Sequence, residues 1–125
     1  MWWGRTPKSL AQRGEDLAAK HLKRSRYKIL DRNVWLGRYE VDILARKGDT
    51  VVFVEVRSRA SDDPVPPEDS VGYTKRQHLR KAALFYLSRH EKPGTFYRFD
   101  VVAVLVPASG KPTITWYRDA FGPKE

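Results

Sequence analysis

The chain has 125 residues, a usual length for one domain, and 41% of them are hydrophobic, which is enough to form a buried core. It contains no cysteine, so a disulfide-stabilised secreted scaffold and a thiolate zinc site are both excluded. No apolar run approaches the roughly 18 residues of a membrane span, and the first residues contain no signal-peptide core. We therefore expect a cytoplasmic protein without a membrane partner, folded as a single domain over 1–125 with flexible ends at 1–8 and 119–125.

The formal net charge of +9 is unevenly distributed along the chain. Residues 1–38 carry ten basic and three acidic side chains, and residues 72–98 carry seven and one. Between them, residues 39–71 carry four basic and eight acidic side chains. Basic surfaces attract phosphate backbones, and an acidic segment between two basic ones is what a metal site facing a polyanion needs. The charges alone equally allow the basic segments to be solvated helix faces.

The first predicted element is a helix over 9–24. Its apolar residues recur at helical spacing, and Ser9 and Gln12 form a capping box at its start. Strands are predicted at 27–35, 39–46 and 50–59, and the turn Lys47-Gly48-Asp49 joins the last two in an antiparallel hairpin. Both arms of the hairpin are apolar on both faces for part of their length. This pattern indicates a central position with helices packed on each side.

The second half of the chain is predicted to start with a proline-rich loop over 60–70. A helix over 74–90 follows, with Thr74 and Gln77 as its capping box. Strands over 96–106 and 113–117 complete the chain, the last at an edge of the sheet. The order αβββαββ predicts an α/β or α+β fold with a mixed sheet.

Three charged residues lie on the predicted hairpin where its arms face one another. Antiparallel pairing through the short turn sets Asp42 opposite Val54 or Glu55, and opposed residues have Cβ atoms about 5 Å apart, so one divalent ion can bridge Asp42 and Glu55. Glu55 and Arg57 are two residues apart and project from the same face. On spacing alone, a structural salt bridge among these three residues is the favoured interpretation, because buried charges need partners. Glu15 lies on or beside the apolar face of the first helix, either as an acid at its flank or as part of a site.

Other polar residues point less clearly to chemistry. His21, His78 and His90 lack the spacing of a helical metal-binding pair, so surface positions are favoured. Asp100 is expected to be a structural partner of Arg98 or of another base. Neither a Ser-His-Asp arrangement nor a Gly-rich phosphate loop is present. The tryptophans are expected to pack in the core or at edges, with base stacking as the alternative: Trp2, Trp3, Trp35 and Trp116.

Four blocks of the sequence, taken together, resemble the YraN-like family of predicted endonucleases, which belongs to the PD-(D/E)XK nuclease superfamily and is related to archaeal Holliday-junction resolvases. The blocks are RGEDLAAKHL, RNVWLGRYEVDILARKGDTVVFVEVRSR, TKRQHLRKAALFYL and YRFDVVAV. They cover nearly all of residues 12–104 in the order of the family. The resemblance implies a restriction-endonuclease-like fold, an α/β arrangement with a central mixed β-sheet flanked by helices.

The resemblance also implies roles for individual residues. Asp42 and Glu55 match the metal-binding acids, Glu15 matches the helical acid that completes the metal site, and Glu40 matches an acid beside these ligands. The implied cofactor is Mg²⁺ or Mn²⁺. Lys75 matches a basic residue at the start of the second helix. With it, other basic residues of the two helices are expected to contact the DNA backbone: Arg13, Lys20, Arg76 and Arg80.

The sequence departs from the family pattern at two positions. Tyr39 stands where the family's GEID stretch has glycine, and the family's E-V-K reads Glu55-Val56-Arg57. A lysine ammonium can lose its proton and help to activate water, whereas a guanidinium, with a pKa above about 12, cannot. We therefore expect Arg57 to act in catalysis by contacting the scissile phosphate. An active enzyme would then need hydroxide supplied at the metal ion or another base.

The function expected from these features is a metal-dependent endonuclease or resolvase-like protein acting on DNA, with branched recombination or repair intermediates as the expected substrates and a homodimer as a possible assembly. Two alternatives stay open. One is a catalytically silent DNA-binding module of the same fold, and the other is a basic RNA- or ribosome-associated protein.

Overall fold

The structure is a computed structural model that describes residues 7–60, 71–90, 92 and 94–124. The described residues form two helices and five strands in the order α1 (Leu10–Arg24), β1 (Lys28–Leu36), β2 (Tyr39–Lys47), β3 (Thr50–Ala60), α2 (Tyr73–His90), β4 (Phe96–Val106) and β5 (Thr113–Phe121). The strands make one sheet in the spatial order β1-β2-β3-β4-β5. Strands β3 and β4 pair in parallel, and the other neighbouring strands pair antiparallel.

This topology confirms the predicted α/β class, with a central mixed sheet in the order αβββαββ. It is compatible with a restriction-endonuclease-like fold. Within the described ranges, no helix is both long enough and apolar enough to cross a membrane.

A buried apolar cluster lies on each face of the sheet. The first joins α1 to one face and includes Ala18, Leu22, Val52, Val54 and Val102. The second joins α2 to the other face and includes Val51, Phe53, Leu79, Ala82 and Phe99. The residues of β3 alternate between the two clusters, which confirms that the hairpin is central and covered on both sides. The charged residues of β3 follow this apolar run and therefore lie at one end of the core.

The two helices begin differently from one another. Helix α1 has the predicted capping box, in which the Gln12 N–H donates to Ser9 Oγ at 3.1 Å and the Ser9 N–H donates to Gln12 Oε1 at 2.9 Å. Helix α2 begins at Tyr73, so the predicted capping box of Thr74 and Gln77 is wrong. Thr74 is already helical, and the Gln77 amide donates to the Tyr73 hydroxyl at 2.8 Å instead.

The C-terminal strand β5 is longer than the sequence pattern predicts. It runs to Phe121 rather than to residue 117, so residues 119–121, expected to belong to a flexible end, are part of the strand, and Phe121 pairs with Phe99 beyond an irregularity in the register. The Asp119 N–H donates to Asp100 Oδ1 at 2.9 Å, and the Phe121 ring stacks on Phe99 with 4.9 Å between centroids. The predicted loop over 60–70, apart from Ala60 at the end of β3, and residues 1–6 of the predicted N-terminal end lie outside the described residues.

Asp100 has the structural role that the sequence predicts. It is fully buried, and Arg98 Nε donates to its Oδ1 at 2.9 Å. The Trp116 indole donates to Oδ2 of the same carboxylate at 2.8 Å. Asp100 therefore fastens the edge strand β5 to the interior of the sheet.

Candidate active site

The candidate site lies where β2 and β3 stop pairing. Their register runs from Lys47 and Thr50 at the turn to Ile43 and Val54. At the next residue, Asp42 Oδ2 accepts a hydrogen bond from the Val56 N–H at 2.8 Å. A side chain thus takes the place of a backbone partner, and it brings the Asp42 carboxylate beside that of Glu55.

Glu55 is buried between two cations. It is only 1% exposed. Arg57 Nη1 lies 3.3 Å from Glu55 Oε2, and Lys75 Nζ lies 3.6 Å from Oε1. Oε1 has no hydrogen-bond partner among the described residues. Burial raises the pKa of Glu55 to about 8, and the adjacent Asp42 carboxylate acts in the same direction, while the two cations oppose it.

Glu15 faces the same site from α1. Burial raises the pKa of Glu15, and the negative charge of Asp42 adds to this effect. Arg32 Nη2 lies 3.7 Å from Glu15 Oε1, which is buried and accepts no hydrogen bond from the described residues. A cavity of about 350 Å³ opens here, with Glu15, Asp42 and Arg57 in its lining. The predicted helical acid therefore points into the site and is not a solvated flank of α1.

The close approach of α1 to β3 depends on Gly14, which the sequence analysis did not single out. A Cβ atom at this position would lie 1.7 Å from Ser58 Oγ and 2.8 Å from Ser58 Cβ. Because Gly14 has no side chain, α1 can pack closely against β3, and this close packing places Glu15 at the site. A signal for this was present, because a glycine inside a helix costs about 1 kcal/mol relative to alanine and marks a packing or functional requirement.

The comparisons with known proteins cover this site. The model of the family described as "Uncharacterised protein family UPF0102" matches residues 14–104, a range that includes all three carboxylates and both cations around Glu55. The chain belongs to this family. A UPF0102 protein from Geobacter metallireducens is 44% identical over 97 residues, which cover 78% of this chain and 80% of that protein. Another, from Rhodococcus opacus, is 40% identical over 114 residues, covering 90% of this chain and 96% of its own length.

The donor chemistry of this UPF0102 member fits a hard divalent cation. Two buried carboxylate oxygens, Glu15 Oε1 and Glu55 Oε1, accept no hydrogen bond from the described residues, and Mg²⁺ prefers such oxygen ligands. Across the described ranges, however, no three His, Cys, Asp or Glu side chains are grouped closely enough to hold a metal ion between them. Asp42 lines one cavity with Glu15 and follows the β2–β3 register beside Glu55, so it is the carboxylate common to both neighbours. Two carboxylates are sufficient, because Mg²⁺ usually keeps several waters and binds through one or two carboxylates plus phosphate.

Two further predicted residues lie at the site. Glu40 stands near Glu15 and contributes to the rise in its pKa through its negative charge. Lys75, expected only as a contact to the nucleic-acid backbone, reaches Glu55 from α2 with a side chain that is 36% exposed. It therefore has one side toward the buried carboxylate and one toward solvent.

The other predicted nucleic-acid contacts are not all on the surface. Arg13 and Lys20 are exposed on α1, seven residues apart and so on one side of the helix. Arg76 is partly buried, and its Nη1 donates to the Val71 carbonyl at 3.0 Å. Arg80 is only 6% exposed, and its Nε donates to the Gly122 carbonyl at 2.8 Å. Arg80 thus joins α2 to the chain after β5 and has little surface for a phosphate contact.

Proposed function

We propose that this protein is a metal-dependent nuclease of the PD-(D/E)XK kind that hydrolyses phosphodiester bonds in DNA. One observation carries the proposal: Asp42 and Glu55 adjoin at the end of the β2–β3 pairing, with Arg57 3.3 Å and Lys75 3.6 Å from the two Glu55 oxygens. Of these four residues, Asp42 and Arg57 line a cavity of about 350 Å³, where a phosphate group held next to a divalent ion would meet both a carboxylate and a cation.

Asp42 and Glu55 would hold Mg²⁺ or Mn²⁺, with Glu15 as a further acid from α1. The ion, when bound, neutralises charge on the phosphate and makes an attacking water more acidic. Arg57 can donate two hydrogen bonds to phosphate oxygens and stabilise the charge that develops on them. Lys75 adds a second positive charge from the opposite side of Glu55.

The charge distribution supports nucleic acid as the ligand. The chain carries a net charge of +9, and Arg13 and Lys20 are exposed on the helix that contributes Glu15. Phosphate contacts by such residues release counterions, so affinity for DNA should fall steeply with salt, with a slope of about −0.9 per contact. A flat salt dependence would contradict an electrostatic mode of binding.

A catalytically silent DNA-binding module is the second candidate, and one feature of the site favours it. Glu55 is already paired with Arg57 and Lys75, and Arg57 holds the position where the PD-(D/E)XK pattern has lysine. Such a protein would keep the basic surface and bind DNA without turnover.

The test is single-turnover cleavage of single-stranded, nicked, branched and duplex DNA with Mg²⁺, Mn²⁺ or a chelator. Asp42→Asn should abolish metal-dependent cleavage. Its control is Asp49→Asn, an equivalent change in the exposed turn at the far end of the hairpin. Arg57→Lys should raise cleavage by about 10- to 100-fold, because it restores a cation that can give up a proton.

The outcomes separate the candidate functions. Binding of DNA without cleavage by the wild type and by Arg57→Lys would establish the silent module. Displacement of bound DNA by a small excess of RNA would favour an RNA-associated protein. Equal uptake of Mn²⁺ by the wild type and by Asp42→Asn in calorimetry would show that the metal site is wrongly placed.

A further inference from the structure

One tryptophan side chain stands in solvent. Trp35, in β1, is 65% exposed. In contrast, the Trp116 indole is hydrogen-bonded to the buried Asp100 carboxylate, and Trp2 and Trp3 lie outside the described residues. Trp35 therefore does not pack in the core; it lies on β1, an edge strand of the sheet, and most of its ring is exposed. The large flat surface of this ring is therefore accessible to a ligand that can stack on it.

Trp35 projects from the face of the sheet that α1 covers, which is the side from which Glu15 reaches the candidate site. Its neighbours Val34 and Leu36 pack into the cluster beneath α2. Because side chains alternate along a strand, Trp35 points to the α1 side, where Glu15 lies. Its cross-strand partner is Glu40, whose charge acts on Glu15.

The sheet register also sets how far Trp35 is from the carboxylates. Trp35 opposes Glu40 in the β1–β2 ladder, and Asp42 is two residues farther along β2. Diagonal neighbours of this kind lie about 7–8 Å apart. A strand whose phosphate is held at Asp42 and Glu55 can therefore place one of its own bases on the Trp35 ring.

The surroundings of Trp35 suit a nucleobase better than a protein partner. Protein interfaces need a contiguous apolar patch. Val34 and Leu36 pack into the core on the other face of the sheet, and the next residues along and across the β1–β2 hairpin are polar: Arg32, Asn33, Arg38 and Glu40. The exposed Leu84 belongs to α2, which packs on the opposite face of the sheet. An exposed aromatic ring beside polar and charged groups, on a chain of net charge +9, is typical of a stacking platform in nucleic-acid binding.

We propose that Trp35 stacks on an unpaired nucleobase, so that the substrates of the site are DNA strands with unpaired nucleotides: single strands, flaps and frayed junctions. This inference rests on the proposed function only in taking nucleic acid as the ligand. A fully paired duplex cannot use the platform, because its bases already stack on one another. Trp35 is then a determinant of specificity and takes no part in the chemistry.

The test compares the binding of fluorescein-labelled oligothymidylate, a flap and a duplex by anisotropy, with a chelator present to prevent cleavage. Trp35→Ala should weaken binding of oligothymidylate and flap by about 5- to 150-fold, the range for one base–aromatic stack, and should change duplex binding by less than about twofold. Trp35→Phe should keep most of the affinity but lose the quenching of tryptophan fluorescence by oligothymidylate. Leu84→Ala is the matched control, because Leu84 is also 65% exposed but lies on α2.

The outcomes distinguish a failure of base stacking by Trp35 from a failure of the proposed nuclease function. If Trp35→Ala binds all three DNAs like the wild type, or weakens them equally, stacking by Trp35 is refuted while the proposed nuclease stands. If the wild type binds none of the DNAs, both the stacking and the proposed function fail. Preserved circular dichroism spectra of the variants would show that lost binding does not reflect lost folding.

Discussion

Replacing Gly14 by alanine should destabilise the protein, although alanine is the better helix former. The added Cβ would lie 1.7 Å from Ser58 Oγ and 2.8 Å from Ser58 Cβ. The hydroxyl can rotate away, but the contact between the two Cβ atoms cannot be relieved by rotation. Non-bonded carbon atoms normally lie about 3.5–4.0 Å apart, so α1 and β3 must separate by about 1 Å.

The expected loss follows from two opposing effects. Overpacking of a well-packed contact costs about 1–3 kcal/mol, and the change from glycine to alanine inside a helix returns about 1 kcal/mol. Because the contact between the Cβ atoms is severe, we expect the free energy of unfolding to fall by about 1–2 kcal/mol. The same separation moves Glu15 away from Asp42 and should weaken uptake of Mn²⁺.

Urea denaturation of a mutant cycle measures this effect. Ser58→Ala alone should be close to neutral, because it removes a buried hydroxyl that has no hydrogen-bond partner among the described residues. In the Gly14→Ala background, Ser58→Ala should restore only part of the lost free energy of unfolding, since the contact between the Cβ atoms of residues 14 and 58 remains. Ser58→Gly should rescue more, because the nearest remaining Ser58 atom to the added Cβ is then Cα at 3.9 Å, although glycine in a strand costs about 0.5–1 kcal/mol.

Two results would refute this reasoning. One is a Gly14→Ala protein more stable than the wild type, which is the outcome that helix propensity alone predicts. The other is additivity of the Gly14 and Ser58 changes, because residues in contact should show a coupling free energy of about 0.5–3 kcal/mol.

Three further predictions concern buried charges. Glu55→Gln in metal-free buffer should stabilise the protein increasingly as the pH rises from about 4.5 to about 8. The raised pKa of Glu55 gives the wild type a contribution to stability that is present below pH 4.5 and lost as the pH rises to about 8, so the largest difference between the two proteins is about 5 kcal/mol. Equal urea midpoints of the two proteins at both pH 5 and pH 9 would contradict this prediction. Arg80→Ala should lower the free energy of unfolding by about 1–3 kcal/mol, because it removes the hydrogen bonds that the buried guanidinium donates to the Gly122 carbonyl and to Gln77 Oε1. A change below about 0.5 kcal/mol in urea denaturation would mean that these contacts are not formed in solution. Asp100→Asn should cost about 3–5 kcal/mol, because it removes the buried charge that pairs with Arg98, and an unchanged midpoint of thermal unfolding would oppose this.

The sequence alone determined the features that depend on neighbouring residues. The order of the elements, the capping box of α1 and the turn at Gly48 follow from patterns a few residues long, and the structure confirms them. The pairing of Asp42 with Glu55 was also predictable to within one residue, because a short turn sets the register of a hairpin. The sequence also showed that residue 57 is an arginine, where the pattern of the nuclease family that the chain resembles has lysine.

Only the tertiary structure decided the features that join distant parts of the chain. Lys75 reaches Glu55 because α2 connects the parallel strands β3 and β4, and Gly14 meets Ser58 across 44 positions of sequence. The burial of Arg80 depends on a carbonyl at Gly122, and β5 extends to Phe121 because its last residues bond to and stack on β4. Local patterns encode which face of an element is apolar, but they do not encode which distant atoms that face will meet. Such contacts exist only once the sheet has brought its strands and helices together.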